Sequence, residues 1–225
     1  MTDSSANAPL SPLQVDLIRE FFERDREFVL TGGAALSGFY LHHREMKDLG
    51  LFARPGAAID LAERALIDAA LALGASVEKQ QTFVEFRRYV LGRGTEITLV
   101  DLVIDRAPDV EAPRLFGRVR VHTLREIAAN KLCTVLSRAE PRDLVDLKLI
   151  FDTGVTLERT LADASTKDGG ADAATLAWVV SEIRVGPAAV LPGGVSAAEL
   201  EGFRAKLEVD LRRLAYPGEP SPSAR

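Results

Sequence analysis

Hydrophobic residues recur at helical spacing near the start of the chain and then form short extended runs. Between residues 13 and 26, apolar side chains return every three or four positions, which predicts an amphipathic helix beginning after Ser11-Pro12. Short apolar runs bounded by glycine, proline or charged residues predict strands. The expected strands are 28–30, 49–53, 75–79, 82–91, 95–105 and an edge strand 118–121, with a hairpin turn at 92–94.

The second half of the chain has a helical pattern. Thr123 and Glu126 fit a capping box for a helix reaching Arg138, and Pro141 fits the first turn of a helix ending at Phe151. Strands followed by helices indicate an α+β core with a mixed sheet and a C-terminal helical subdomain. Further helices are expected at 34–41, 59–73, 172–183 and 197–214, and the expected divisions are a disordered tail 1–12, an α+β domain 13–121, a helical domain 122–216 and a disordered tail 217–225.

Composition narrows the class of protein. The chain has 225 residues, 47% hydrophobic and 27% charged, with a net charge of -5, which argues against a protein that coats nucleic acid nonspecifically. The apolar runs are too short to span a bilayer and the N-terminus lacks a signal pattern, so we expect a cytoplasmic protein without a membrane partner. The single cysteine, Cys133, excludes an internal disulfide and is expected to be a buried structural thiol, and Trp178 is expected in the core.

A predicted strand ends at Thr31-Gly32-Gly33, and a predicted helix follows. Such a turn exposes backbone N–H groups at the positive end of the helix dipole, an arrangement that attracts phosphate. The alternative is a tight turn that uses glycine for steric reasons alone.

Asp48 enters the second predicted strand two positions before Gly50, so both residues face the same side. An Asp-x-Asp pair at these positions would chelate Mg²⁺, but glycine replaces the second acid. Asp101 lies on an otherwise apolar strand face and needs a cation or strong hydrogen-bond donors. The alternative to a metal is an internal salt bridge with Arg44, Arg87 or Arg88.

Charged residues also gather where two predicted helices meet. Lys131 and Arg138 are seven positions apart on one helix, and Asp143 and Asp146 are three apart on the next, so each pair shares a helix face. A purely structural network that ties the two helices together is the alternative to a binding role.

Two blocks resemble the AbiEii-type nucleotidyltransferases, the toxins of type IV toxin–antitoxin systems, which are related to the MenT-like enzymes. The block LTGGAALSGFYLHHREMKDLGLF is similar to the family pattern of Gly-Gly, His-Arg, Ser and Asp-Leu-Asp. The block LREIAANKLCTVLSRAEPRDLVDL is similar to the family's helical corner of Lys-Leu, Arg and Arg-Asp-x-x-Asp-Leu. With Asp101 between them, the two blocks span more than half of the chain.

The resemblance implies a polymerase-β-like nucleotidyltransferase fold that binds a nucleoside triphosphate with Mg²⁺. The implied metal ligands are Asp48 and Asp101, and Lys131 and Asp146 complete the implied catalytic set. The implied phosphate-binding residues are Thr31, Gly32, Gly33, Arg44, Lys131, Arg138 and Arg142.

Two residues depart from the family pattern, because Met46 replaces the usual Ser and Gly50 replaces the second metal carboxylate. The resemblance implies transfer of a nucleotide to RNA, with tRNA as the leading acceptor, or to protein, and the two departures imply that this transfer is slow. It also implies a cognate antitoxin as partner. A catalytically inactive nucleotide-binding or regulatory protein of the same fold is the alternative.

Overall fold

The computed structural model describes residues 9–218. Two compact units are present: one runs up to Arg106 and includes Glu111–Thr123, and the other combines Ala107–Val110 with the chain from Leu124 onward. Within residues 9–218, none of the helices has both the length and the apolar composition needed to cross a bilayer.

The first unit is built on a seven-stranded mixed sheet. Its strand order is β3-β4-β5-β2-β1-β7-β6; β2 pairs with β5 and β1 with β7 in parallel, and the other neighbours are antiparallel. The architecture confirms the expected α+β class. The strands are β1 (Val29–Thr31), β2 (Asp48–Ala53), β3 (Ser76–Thr82), β4 (Phe86–Arg93), β5 (Glu96–Ile104), β6 (Arg114–Phe116) and β7 (Val119–Val121), and the helices of this unit are α1 (Pro12–Arg24), α2 (Gly32–Leu36) and α3 (Ile59–Ala72).

One face of the sheet is covered by α1 and α3. Leu49, Leu51 and Ala53 of β2 are buried on this side, and Gln14 of α1 donates a 3.0 Å hydrogen bond to Thr98 of β5. Because successive side chains of a strand point to opposite faces, the alternate residues of these strands lie on the other side of the sheet. Strand alternation therefore assigns Asp48, Gly50 and Asp101 to the face opposite α1 and α3.

The region of the predicted turn 92–94 differs from the sequence prediction. Arg93 pairs with Glu96, so the two-residue loop consists of Gly94 and Thr95, and Gly94 adopts the positive φ of 61° that such a loop requires. Gly92 remains within β4 opposite Ser76 of β3.

The predicted edge strand at 118–121 is also wrong in its position, because β7 lies between β1 and β6 and is therefore not at the edge of the sheet.

A short helical segment follows the glycine turn. The helix α2 begins at Gly32, two residues before the predicted start, and continues into a π-helical turn at Ser37–Leu41. The segment ends at His42, which has a φ of 49°. Such π turns recur at functional sites, and this one follows the glycine turn that was expected to bind phosphate.

The second unit is helical and has its own apolar core. Buried side chains from five α-helices of its described part form this core, including Leu132, Leu144, Ala164, Leu176 and Leu207. The helix at 157–167 was not predicted. The helices are α4 (Leu124–Arg138), α5 (Pro141–Phe151), α6 (Leu157–Lys167), α7 (Ala173–Glu182) and α8 (Ala197–Ala215).

Two side chains of the second unit are more exposed than expected. Trp178 of α7 is 65% exposed, which corrects its assignment to the core. Cys133 is only partly buried, and its Sγ lies 3.7 Å from the carbonyl oxygen of Ala164. The predicted tails lie mainly outside the described residues, except for residues 9–12, of which Pro12 already begins α1, and residues 217–218.

Candidate functional site

Four residues from four adjacent strands, together with His122 directly after β7, form a row across the sheet, here called the cross-strand row. Arg88 of β4 is the register partner of Asp101 of β5, which is the partner of Gly50 of β2, which in turn is the partner of Thr31 of β1. His122 completes the row, since its Nδ1 lies 2.8 Å from Oγ1 of Thr31. Register partners project their side chains to the same face, so this row brings the predicted Asp101, Gly50 and Thr31 together.

Asp101 forms a two-point ion pair with Arg88. Nε and Nη2 of Arg88 each donate a 2.7 Å hydrogen bond to a different carboxylate oxygen of Asp101. The hydrogen bonds to Asp101 and the nearby negative charges of Asp101 and Asp48 raise the pKa of Arg88 above its ordinary value. Of the three arginines considered from the sequence, Arg88 is the one that pairs with Asp101.

Asp48 is the more accessible of the two predicted acids. It is exposed at the first position of β2, whereas the side chain of Asp101 is 17% exposed. Among residues 9–218, no side chain donates a hydrogen bond to the Asp48 carboxylate or forms an ion pair with it. The Asp48 carboxylate is therefore available to a cation from outside the chain.

Gly50 leaves a gap between Asp101 and Thr31 in the cross-strand row. A Cβ atom at this position would meet Cε1 of Phe52 at 3.4 Å and Cγ2 of Thr31 at 3.6 Å, which are ordinary contact distances. The backbone of Gly50 is not among those with positive φ. Neither packing nor backbone geometry requires glycine here, so the missing side chain mainly changes the charge of the site.

The glycine turn has little free space above its second residue. A Cβ atom at Gly33 would overlap the terminal methyl group of Met46 and would lie 2.8 Å from Nη2 of Arg44. The guanidinium of Arg44 therefore lies beside the turn for which a phosphate was predicted. Met46, which stands where the family pattern has Ser, brings a thioether to the same place.

Thr31 occupies the N-cap position of α2 but does not cap the helix with its side chain. Its side chain makes no hydrogen bond to the N-terminal N–H groups of the helix, and its Oγ1 is instead engaged with His122. His122 is 4% exposed, and its carbonyl oxygen accepts a 3.0 Å hydrogen bond from Tyr40. Sequence reasoning missed His122, because its proximity to Thr31 depends on a parallel pairing between strands far apart in the chain.

In the second unit, the charged corner between α4 and α5 forms a buried network. Nζ of Lys131 lies 3.1 Å from Asp143 and 2.5 Å from Asp146, and both acids are fully buried. Arg138 donates two hydrogen bonds to Asp143, at 2.8 and 2.7 Å. Burial acts to raise the pKa of Asp143, but Arg138 and Lys131 together outweigh it, and the pKa lies below its ordinary value.

Arg142 differs from the other members of this corner. Its Nε lies 2.5 Å from Glu140, and its side chain is 53% exposed. It forms a surface ion pair, for which a low energy is expected. The buried network differs, because the charge of Lys131 is balanced by Asp143 and Asp146, as the structural interpretation of this corner predicts.

A model of the nucleotidyl transferase AbiEii toxins of type IV toxin–antitoxin systems matches residues 16–219. The chain belongs to the AbiEii family. The match extends over both units, and membership confirms the resemblance seen in the two sequence blocks.

Two solved structures resemble this AbiEii-family chain. One is described as a candidate nucleotidyltransferase from Helicobacter pylori, with a TM-score of 0.53 and 20% identity over 89% of this chain and 95% of the other. The second is JHP933 from Helicobacter pylori, with a TM-score of 0.53 and 21% identity over 92% and 96%. At this identity the likeness shows the fold alone. No curated protein matches the chain.

Proposed function

We propose that this AbiEii-family chain binds a nucleoside triphosphate with Mg²⁺ and slowly transfers its nucleotide to an acceptor. The observation that carries the proposal is the placement of Asp48 and Asp101 on one face of the sheet, where β2 and β5 run side by side. The glycine turn adjoins the same strands through Thr31 and Gly50. This arrangement supports the proposal because it combines a glycine turn suited to phosphate with a carboxylate open to a cation.

The donor set fits one Mg²⁺ ion better than two. The Asp48 carboxylate is open to a cation, whereas both carboxylate oxygens of Asp101 accept hydrogen bonds from Arg88. Gly50 has no side chain that could bind a metal. Mg²⁺ often binds through one or two carboxylates together with substrate phosphates and several waters. Asp48 would thus hold an ion that arrives with the triphosphate, where Mg²⁺ would neutralise phosphate charge.

The residues of the chain would position the nucleotide. Arg44 beside Gly33 would bind phosphate oxygens together with the backbone of Gly32 and Gly33, since arginine and turn N–H groups both favour phosphate. The family resemblance implies that Lys131 would contact the triphosphate and that Asp146 would support it. Arg138 and Arg142 would complete this corner with Asp143 and bind phosphate.

The proposed acceptor is tRNA, with protein as the second acceptor, and the proposed partner is a cognate antitoxin in the cytoplasm. Wild-type protein, Mg²⁺, total tRNA and each labelled nucleoside triphosphate would be incubated together, with an Asp48→Ala variant as the control. We expect label on tRNA with the wild type and a strong loss with the variant. If tRNA and a protein extract both carry no more label than in the Asp48→Ala control, the transferase proposal is wrong.

A nucleotide-binding protein without catalysis is the second candidate. The observations that favour it are the gap at Gly50 and the engagement of Asp101 by Arg88, because both reduce the number of metal ligands. Calorimetry of a nonhydrolysable nucleoside triphosphate with and without Mg²⁺ separates the two candidates. Binding that strengthens with Mg²⁺ favours the transferase, and binding that is indifferent to Mg²⁺ favours the binding protein.

A further inference from the structure

The cross-strand row contains the guanidinium of Arg88 beside Asp101, one of the acids that a two-metal site would need. Two-metal nucleotidyl transfer relies on carboxylates that hold two positive ions against the phosphates. Around Gly50, the chain offers the acids Asp48 and Asp101 and the base Arg88, which pairs with Asp101 through both of its carboxylate oxygens. A second metal ion at Asp101 would share these oxygens with the guanidinium, whose positive charge opposes its approach.

Arg88 is held in place from two directions. Its Nε and Nη2 are fixed by Asp101, and its Cζ lies 5.4 Å from the ring centroid of Phe86, a cation–π distance. The side chain remains 38% exposed, and among residues 9–218 its Nη1 donates no hydrogen bond. The guanidinium is therefore oriented and still has one nitrogen free to donate.

Guanidinium chemistry suits a phosphate ligand. Arginine stays charged at any pH at which the protein is folded, and its N–H groups bind phosphate oxygens with charge-assisted hydrogen bonds. Asp48 pairs with Leu99, two positions before Asp101 on the same strand face, so a triphosphate that brings one Mg²⁺ to Asp48 would place negative oxygens near Arg88.

We propose that Arg88 takes the place of a second metal ion, excluding metal from Asp101 and binding the triphosphate with its guanidinium. The phosphate part rests on the proposed nucleotide binding, whereas the metal part does not. Arg88 is thus a binding residue that this chain uses in combination with glycine at position 50.

The exclusion of metal from Asp101 is tested by titrating the protein with Mn²⁺ in the absence of nucleotide and monitoring bound Mn²⁺ by electron paramagnetic resonance. We expect Arg88→Gln to tighten Mn²⁺ binding roughly tenfold or more, because it removes a positive charge within hydrogen-bond distance of Asp101. Adding Asp101→Asn should remove the gain. Arg93→Gln is the matched control, because Arg93 lies on the same strand but pairs with Asp16 and Glu96.

The phosphate part is tested with inorganic tripolyphosphate in EDTA, by calorimetry. Wild type and Arg93→Gln should bind it, and Arg88→Gln should bind roughly tenfold more weakly, as expected for the loss of charge-assisted hydrogen bonds. Arg88→Lys keeps the charge but cannot form the fork, so it should fall between the two, and it replaces Arg88→Gln if that variant does not fold.

Each outcome decides one part. Unchanged or weaker Mn²⁺ binding in Arg88→Gln overturns the exclusion of metal by Arg88. Unchanged tripolyphosphate binding, or none in the wild type, overturns the phosphate role. If no nucleoside triphosphate binds under any condition, the proposed function fails, but the Mn²⁺ result for Arg88 still stands.

Discussion

Gly50 is the residue whose replacement most directly tests the metal site. A side chain here enters the cross-strand row between Asp101 and Thr31, with ordinary contacts to Phe52 and Thr31. We expect Gly50→Asp to strengthen Mg²⁺ binding by about tenfold, because it adds a carboxylate two positions from Asp48 on the same strand face. Calorimetric titration with Mg²⁺ measures the effect.

The control for this change is Gly50→Asn, which has the same size but no charge. Equal Mg²⁺ affinities in the Asp and Asn variants would contradict a metal site at Asp48.

The sequence was sufficient to predict that residues 48 and 50 lie on the same side of the sheet, because strand alternation alone puts them on one face. It left three arginines open as the partner of Asp101, because the choice depends on the register between β4 and β5.

Ala139 carries a backbone conformation that favours glycine. It follows the last residue of α4 with a φ of 48°, and its N–H donates a 3.0 Å hydrogen bond to the carbonyl of Val135. A left-handed conformation costs about 1–2 kcal/mol for a residue with a Cβ atom. We therefore expect Ala139→Gly to raise the free energy of unfolding by roughly 0.5–1 kcal/mol in urea denaturation.

The same substitution inside α4 should have the opposite effect. Ala129 is fully buried in the regular part of the helix, and glycine there is expected to cost about 1 kcal/mol or more. If both variants lose stability, the left-handed cap at Ala139 is not a source of strain.

At the scale of helices, the buried corner between α4 and α5 separates a structural from a binding role for Lys131. Removing the ammonium leaves Asp143 with Arg138 alone and takes a 2.5 Å partner from Asp146. We expect Lys131→Ala to lower the free energy of unfolding by about 3–5 kcal/mol, as when one partner of a buried ion pair is removed. Urea denaturation measures this loss.

Lys148→Ala is the matched control, since Lys148 of α5 pairs with the exposed Asp152 at 2.9 Å. It should cost about 1 kcal/mol or less. Triphosphate affinity of folded Lys131→Ala, measured by calorimetry at low temperature, then decides the role. Loss of affinity supports the contact that the family resemblance implies, whereas unchanged affinity assigns Lys131 to the structural network only.

The helices also show where sequence patterns succeed. The bounds of α5, Pro141–Phe151, agree with the prediction, because proline defines the start and the apolar positions repeat clearly. In α6, LERTLADASTK, only Leu157, Leu161 and the alanines are apolar, so the periodic signal is weak. Its capping residue, Thr156, accepts a hydrogen bond from the N–H of Arg159 and was the available signal.

At the scale of the whole molecule, the fold class followed from the order of strands and helices, but the sheet order did not. Parallel pairing of β1 with β7 joins residues about ninety positions apart, and no local pattern encodes such a contact. The position of His122 beside Thr31 depends on that pairing. The candidate site was therefore predictable in its acids and its turn, but not in the neighbours that engage them.

The second unit has the apolar core of an independent domain, which yields a prediction for the molecule as a whole. Its buried cluster is made of residues from Leu132 to Leu211, so a fragment beginning at Leu124 retains every member. We expect this fragment to be helical by circular dichroism and to unfold cooperatively in urea, because chains of about a hundred residues with one core commonly fold alone.

The fragment should nevertheless be less stable than its core alone would suggest, because it loses the segment Ala107–Val110. In the complete chain, Val110 donates a 2.7 Å hydrogen bond to the buried Glu126, and Lys167 donates one to the carbonyl of Pro108 at 2.7 Å. Glu126→Gln should thus destabilise the full chain more than the fragment, since a neutral amide cannot keep the full set of donors. Equal losses in urea denaturation would contradict a contribution of Ala107–Val110 to the second unit, and a fragment without a cooperative transition would contradict its independence.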